Sequence, residues 1–124
     1  LCVVTGGEEV LRLSYLTNSY NSKLIPNLSI CNPSIESLFI EINNNSNKIL
    51  CGIIYRPPDG LERSFFDNFD YLISSSNRQQ YKEIFICGDF NFDLLKCDSN
   101  TPSQTFLNYV HSLSLIPLIS KSTR

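Results

Sequence analysis

Hydrophobic residues follow spacings that predict strands in three parts of the chain. Residues 37–42 (SLFIEI) have a β-like pattern, residues 49–55 (ILCGIIY) form an apolar, β-branched run, and an Asn-rich turn separates the two. Runs of this composition on either side of such a turn predict an antiparallel hairpin. A third run, residues 84–87 (IFIC), is short and wholly apolar, which is typical of a central strand covered on both faces.

The pattern is weaker over residues 1–34. Gly6-Gly7 predicts a turn, and the segment from Glu8 to Leu16 is compatible with a strand. The segment from Asn18 to Pro33 is rich in Asn, Ser and Pro, and this composition predicts a loop.

Two segments carry apolar residues at helical spacing. The first follows the turn 56–60, where two prolines end the preceding strand, and its apolar face comprises Leu61, Phe65, Phe66, Phe69, Leu72 and Ile73. The second begins at Thr101, which forms a capping-box pattern with Pro102 and Gln104. Its apolar stripe comprises Phe106, Leu107, Val110 and Leu113. Residues 113–119 (LSLIPLI) then return toward the core, so the order of strands and helices predicts an α/β fold.

Composition and charge narrow the class of protein. At 124 residues, 42% of them hydrophobic, the chain has room for one domain with a substantial core. It contains no Met, so Leu1 is interpreted as the edge of a fragment. The net charge of −2 excludes a strongly basic DNA-binding domain, and any contact with nucleic acid must come from a local site.

Cysteine usage and hydropathy bear on location. The five cysteines include no C-x-x-C pair, which disfavours a disulfide framework or a zinc site and indicates a reducing compartment. No apolar run approaches the length of a membrane span. We therefore expect an intracellular protein, nuclear or cytoplasmic, with no membrane partner.

The segment EIFICGDFNFDLL, residues 83–95, leads the third apolar run into Asp89, Asn91 and Asp93. Their spacing matches the start of an EF-hand loop, but the sixth and twelfth positions are Leu and Asn instead of Gly and Glu. A calcium site of that kind is therefore excluded. A structural role in a turn suits Asp93, because Asp side chains after a strand bond their own backbone.

A chemical role suits Asp89 and Asn91. Residues two apart on an extended segment point the same way, and Gly88 lets the backbone approach a ligand. In layered α/β folds, sites gather at the carboxyl ends of core strands. A carboxylate can orient or deprotonate a water, while an amide holds a phosphate oxygen without adding negative charge. The pair therefore predicts a phosphodiester hydrolase.

A second motif, GIIYRPP at residues 52–58, adds a family resemblance. With it, the chain resembles the endonuclease/exonuclease/phosphatase superfamily, and within it the endonuclease domain of non-LTR (LINE-type) retrotransposons. In that family YRPP, a helix and a strand ending in I-GDFN-D recur at about this separation, and residues 105–124 are similar to a further stretch. The resemblance is best over residues 36–124. It implies that residues 1–124 are a partial domain, a fragment of a four-layered α/β sandwich in which two β-sheets are flanked by helices.

The resemblance assigns roles to individual residues. Tyr55 matches the tyrosine that contacts the scissile phosphate and steadies its developing charge. Asp89 matches the aspartate that positions or activates the attacking water, and Asn91 the asparagine that binds phosphate. Thr123 corresponds to a residue near the DNA-contacting loop. By its charge alone, Arg56 is either a phosphate contact or a solvated surface arginine.

Other parts of the family's site have no counterpart here. The amino-terminal Asn and metal-binding Glu are absent, as is the carboxyl-terminal Asp-His pair, and the glutamates that are present stand in other contexts: Glu8, Glu9, Glu36 and Glu41. His111, the single histidine, is predicted to be a partly buried residue of the second helix. The intact family domain uses Mg²⁺ or Mn²⁺, and a metal site built on Asp89 alone would be weak.

The resemblance therefore implies a fragment of a Mg²⁺-dependent DNA endonuclease. The intact domain would nick DNA to prime reverse transcription, with a reverse transcriptase in the same polyprotein, and the isolated chain is predicted to be inactive. Two alternatives stay open. The chain is a degenerate, non-catalytic remnant, or it belongs to a phosphatase or apurinic-site nuclease of the same superfamily.

Overall fold

A computed structural model describes residues 2–5, 12–15, 21–44, 46–94 and 101–118. The chain divides into two compact units, residues 1–90 and 91–124. The first contains a mixed five-stranded sheet, a two-stranded sheet and the helix α1, Glu62–Ser75. The second contains the helix α2, Thr101–Ser112. The predicted α/β class is confirmed.

The first unit begins with two short strands, β1 (Cys2–Thr5) and β2 (Arg12–Tyr15), which pair antiparallel. The strands of the larger sheet are β3 (Asn21–Leu24), β4 (Cys31–Asn32), β5 (Ile35–Asn44), β6 (Asn47–Tyr55) and β7 (Glu83–Asp89). Their order is β3–β5–β6–β7, and β4 pairs with β5. The β5–β6 pair is antiparallel and β6–β7 is parallel, so the predicted hairpin is confirmed. A parallel pair needs a crossover connection, which α1 supplies.

The prediction of a loop over residues 18–33 is wrong for the described part of this segment. Its described part contains β3, the short 3₁₀ helix Pro26–Leu28 and β4. Both strands pair with β5, so the backbone hydrogen-bonding needs of the β5 edge outweigh the local preference of Asn, Ser and Pro for turns. The segment from Glu8 to Leu16 contributes β2, while Gly6-Gly7 lies outside the described residues.

One face of the larger sheet is covered by α1. The buried apolar residues of this layer are Ile35, Phe39, Leu50 and Ile54 from the sheet and Phe65, Phe69, Leu72 and Ile73 from the helix. Each contributes about 1.5–3 kcal/mol relative to an exposed position. The helix ends where Asn77 adopts a left-handed conformation, with φ of 46°. Burial of the apolar face of α1 against the sheet stabilises the helix that the spacing of these residues predicted.

The strand β7 departs from its prediction as a central strand covered on both faces. Within the described residues it pairs only with β6, and Phe85 is 43% exposed on the face opposite α1. Cys87 is exposed as well. A wholly apolar run specifies burial in general, but it cannot specify which neighbouring element provides it.

In the second unit, α2 buries Phe106 and Val110, and the Phe106 ring stacks on Phe92 with centroids 4.5 Å apart. The predicted apolar stripe is thereby confirmed at these two positions. The predicted capping box depends on the side chain of Thr101, which lies outside the described part. His111 is exposed, which corrects its predicted partial burial. His111 stands one residue after the buried Val110. Because a helix turns by about 100° per residue, His111 lies to the side of the buried stripe.

The predicted return of residues 113–119 to the core is also wrong for the described residues, 113–118. They form no strand, and Ile116 and Leu118 are 80% and 81% exposed. Over the described part of the chain, neither helix has the length and apolar character needed to cross a membrane.

Candidate active site at the carboxyl ends of β6 and β7

The parallel register of β6 and β7 places Tyr55 directly opposite Asp89. Each is the last residue of its strand, so both lie at the carboxyl edge of the sheet. Directly opposite residues in neighbouring strands point to the same face. Tyr55 is half-buried and Asp89 is exposed. The predicted phosphate-contacting phenol and water-positioning carboxylate are therefore brought together at one edge.

Glu36 extends this pair to a row of three. In the antiparallel β5–β6 pair it lies opposite Tyr55, and it is half-buried. Neighbouring strands are about 4.8 Å apart, so Tyr55 lies between two carboxylate-bearing residues on the same face. We call Glu36, Tyr55 and Asp89 the polar row. In the sequence, Glu36 stands in a context unlike that of the family's glutamate, and only strand pairing reveals its register with Tyr55.

Gly88 is required by the sheet itself. Its φ is +155°, a conformation that residues with a Cβ rarely adopt. A Cβ added at Gly88 would collide with the carbonyl oxygen of Ile54 on the paired strand. The structural reason for this glycine is the close approach of β7 to β6, whereas the sequence pattern suggested the approach of a ligand.

The chain immediately after Asp89 is anchored on α1. The Phe90 ring meets Phe65 and Phe69 edge-on, with centroid distances of 6.4 Å and 6.2 Å. The backbone N–H of Arg56 donates to the Asp89 carbonyl at 2.9 Å, so the strand pairing continues past Tyr55. The two strand ends that carry the candidate site are held by these contacts.

The Arg56 side chain points away from solvent. Only 8% of the residue is exposed, and its guanidinium lies 5.8 Å from the centre of the Phe65 ring. Its terminal nitrogens donate long hydrogen bonds to the carbonyls of Phe90 (3.5 Å) and Gly60 (3.4 Å). The alternative of a solvated surface arginine is therefore wrong. The role of a phosphate contact stays a prediction.

Asn91 does not continue the strand. β7 ends at Asp89, and Asn91, the first residue of the second unit, has a left-handed φ of 50°. The expected extended backbone from Asp89 to Asn91 is therefore wrong, although Asn tolerates this conformation better than most residues. Phosphate binding by Asn91 stays a prediction, and Thr123 lies outside the described residues.

The described residues at this edge offer too few donors for a complete metal site. Across the described ranges, no group of three or more His, Cys, Asp or Glu residues is placed to hold a metal ion. The polar row offers two carboxylates, the oxygen donors that Mg²⁺ takes, but octahedral Mg²⁺ needs six ligands in all. The described residues therefore do not fit a complete Mg²⁺ or Mn²⁺ centre.

A second titratable cluster lies near the other end of the sheet. Glu41 is 8% exposed, pairs with Lys48 at 3.1 Å and accepts a hydrogen bond from Asn43 at 3.2 Å. Burial is the largest single influence and opposes ionisation, but the contacts with Lys48, Asn43 and Tyr81 together outweigh it, so the pKa of Glu41 is lowered. Burial and the charge of Glu41 raise the pKa of Tyr81. This cluster links β5, β6 and the segment before β7.

No family model and no curated protein matches the chain. Among solved structures, it is similar to the endonuclease domain of TRAS1, a telomere-specific non-LTR retrotransposon, with a TM-score of 0.71. The match covers 98% of this chain and 54% of that chain at 13% sequence identity. The chain thus spans about half the length of the domain it matches. The likeness shows a shared fold and supports the predicted resemblance to LINE-type endonuclease domains.

Proposed function

We propose that the chain is part of a DNA endonuclease domain that hydrolyses phosphodiester bonds. The observation that carries the proposal is the register of Tyr55 with Asp89 at the carboxyl ends of two parallel strands. Sites in open α/β sheets gather at such ends. The fold shared with the endonuclease domain of TRAS1 supports phosphodiester hydrolysis over other chemistry at this edge.

In the proposed reaction, water attacks the phosphorus atom and the sugar oxygen leaves. Asp89 accepts a hydrogen bond from the water, orients it and takes up its proton. The Tyr55 hydroxyl donates a hydrogen bond to a phosphate oxygen, which stabilises the negative charge that develops there. The family resemblance also assigns phosphate binding to Asn91, and the proposal keeps this role for its side-chain amide. The exposure of Asp89 leaves room for a polymeric substrate.

The proposal includes a larger domain and further partners. Because the chain matches 54% of the TRAS1 domain, we treat residues 1–124 as a partial domain, with DNA nicking serving reverse transcription by a polymerase in the same polyprotein. The requirement for Mg²⁺ or Mn²⁺ belongs to that larger domain, because the described residues do not complete a metal site. We propose that this larger domain acts inside the cell.

A plasmid-nicking assay tests the proposal. The 124-residue chain and the longest natural reading frame that contains it are each incubated with supercoiled plasmid and Mg²⁺. We expect the longer protein to convert supercoiled plasmid to open circles, the isolated chain to be inactive, and Asp89→Asn to abolish nicking by the longer protein. Nicking that survives Asp89→Asn would refute the assigned role of Asp89.

The alternatives give different results in the same experiment. A degenerate remnant, which the small donor set of the polar row favours, would leave plasmid supercoiled in every form of the protein. A phosphatase would release phosphate from a monoester substrate. An apurinic-site nuclease would cut only duplexes that contain abasic sites. Nicking of intact plasmid therefore separates the proposed function from all three.

A further inference from the structure

The Arg56 side chain lies behind the polar row. Successive residues of a strand point to opposite faces, so Arg56 is directed to the α1 side while Tyr55 is directed to the other. There it lies over the Phe65 ring and is 8% exposed. A guanidinium in this position cannot reach a DNA backbone that approaches the opposite face.

The contacts of Arg56 join the two segments that follow β6 and β7. One terminal nitrogen donates to the Gly60 carbonyl, in the turn after β6, and the other donates to the Phe90 carbonyl, directly after Asp89. The planar guanidinium presents its donors in a rigid fork, so one side chain can hold two acceptors in fixed relative positions. A lysine offers a single nitrogen on a flexible stem instead.

The backbone of Arg56 makes a third connection to the same place. Its N–H donates to the Asp89 carbonyl at 2.9 Å. Phe90 is held in addition by its ring contacts with Phe65 and Phe69, and Phe65 also supports the guanidinium. Arg56 thus contacts Asp89, the adjacent Phe90 and the turn that follows β6, and these contacts restrict how far the two strand ends can move apart.

We propose that Arg56 is a positioning residue, which holds the ends of β6 and β7 so that Tyr55 and Asp89 keep their spacing, and that it does not bind the phosphate. The catalytic part of this inference rests on the proposed function. The structural part, a guanidinium held between the Gly60 and Phe90 carbonyls, does not depend on any activity.

The structural part is tested on the unaltered chain by nitrogen NMR of the arginine side chains. A held guanidinium rotates slowly about its C–N bonds, so we expect resolved terminal-nitrogen signals for Arg56. The exposed Arg63 on α1 is the matched control and should give averaged signals. Averaged signals for Arg56 in a folded chain would overturn the proposal, whether or not the protein cuts DNA.

The catalytic part is tested with Arg56→Lys in the longer protein, with Arg63→Lys as control. We expect kcat for nicking to fall about tenfold to a hundredfold, because small misplacements of catalytic groups have effects of this size, while KM stays nearly unchanged. The salt dependence of DNA binding should also stay the same.

A phosphate contact would behave differently. Its loss would reduce the salt slope of DNA binding by about one and weaken binding across sequences, and that result would overturn the proposal. If the unaltered longer protein does not nick DNA, the proposed function fails, but the NMR measurement still decides whether Arg56 is held as described.

Discussion

Tyr55 and Asp89 are register partners at the carboxyl ends of β6 and β7 and point to the face of the sheet opposite α1. The two residues are 34 positions apart in the sequence, and the crossover through α1 brings them together. A phenol that can donate a hydrogen bond thus lies beside a carboxylate that can accept one.

Asp89→Asn should lower the nicking rate of the longer protein by about 10²- to 10⁴-fold, because the amide cannot accept the proton of the attacking water. The rate is measured under single-turnover conditions, and circular dichroism checks that the fold is retained. Asp67→Asn, at an exposed position on α1, is the control and should leave the rate unchanged. Equal rates for the two variants would contradict a catalytic role for Asp89.

Tyr55→Phe should lower kcat by about 10²- to 10³-fold, the usual effect of removing one hydrogen-bond donor from a developing oxyanion. KM should change little, since the hydrogen bond strengthens only as charge develops. The matched control is Tyr71→Phe, because Tyr71 is 51% exposed on α1. A loss of DNA affinity without a loss of kcat would show that the Tyr55 hydroxyl contributes to binding alone.

Gly88→Ala should lower the free energy of unfolding by about 2 kcal/mol or more, because the new Cβ would meet the Ile54 carbonyl in a conformation that disfavours alanine. Urea denaturation of the 124-residue chain measures the effect. Cys87→Ala changes the exposed neighbouring position and should change the stability by less than about 0.5 kcal/mol. Similar stability for both variants would rule out the tight approach of β7 to β6.

The stability of the first unit should fall in acid partly through Glu41. Its pKa is lowered in the folded state from an ordinary value of 4.5. A lowered pKa stabilises the fold at pH values above the ordinary one, and this contribution is lost as the pH falls through the lowered folded value. Glu41→Gln should therefore show a shallower loss of stability between about pH 5 and pH 3.

The measurement for Glu41 is urea denaturation at a series of pH values. Glu83→Gln is the matched control, because Glu83 is exposed at the start of β7 and no Glu83 ion pair is found among the described residues. It should follow the pH dependence of the unaltered chain. A Glu41→Gln variant with that same pH dependence would show that Lys48 and Asn43 do not favour the ionised carboxylate.

Much of the fold could be predicted from local sequence. The alternating and apolar runs predicted β5, β6 and β7, and the helical spacing of aromatic residues predicted α1 and α2, because burial on one face leaves a periodic trace in the chain. The polar ends of β6 and β7 likewise indicated a candidate site, since turn and strand-end residues are recognisable without knowledge of their neighbours. The catalytic roles of Tyr55, Asp89 and Asn91 stay predictions.

The tertiary structure alone decided which residues share a face and what covers them. Pairing with β5 makes β3 and β4 strands, although their polar, Pro-containing sequence predicted a loop. Strand pairing also places Glu36 opposite Tyr55. Packing against Phe65 buried Arg56, although its charge favours the surface, and His111 is exposed on a helix whose apolar stripe lies beside it. The physical reason is that register and burial arise from contacts between residues distant in sequence, which a local pattern of hydrophobic and polar positions does not contain.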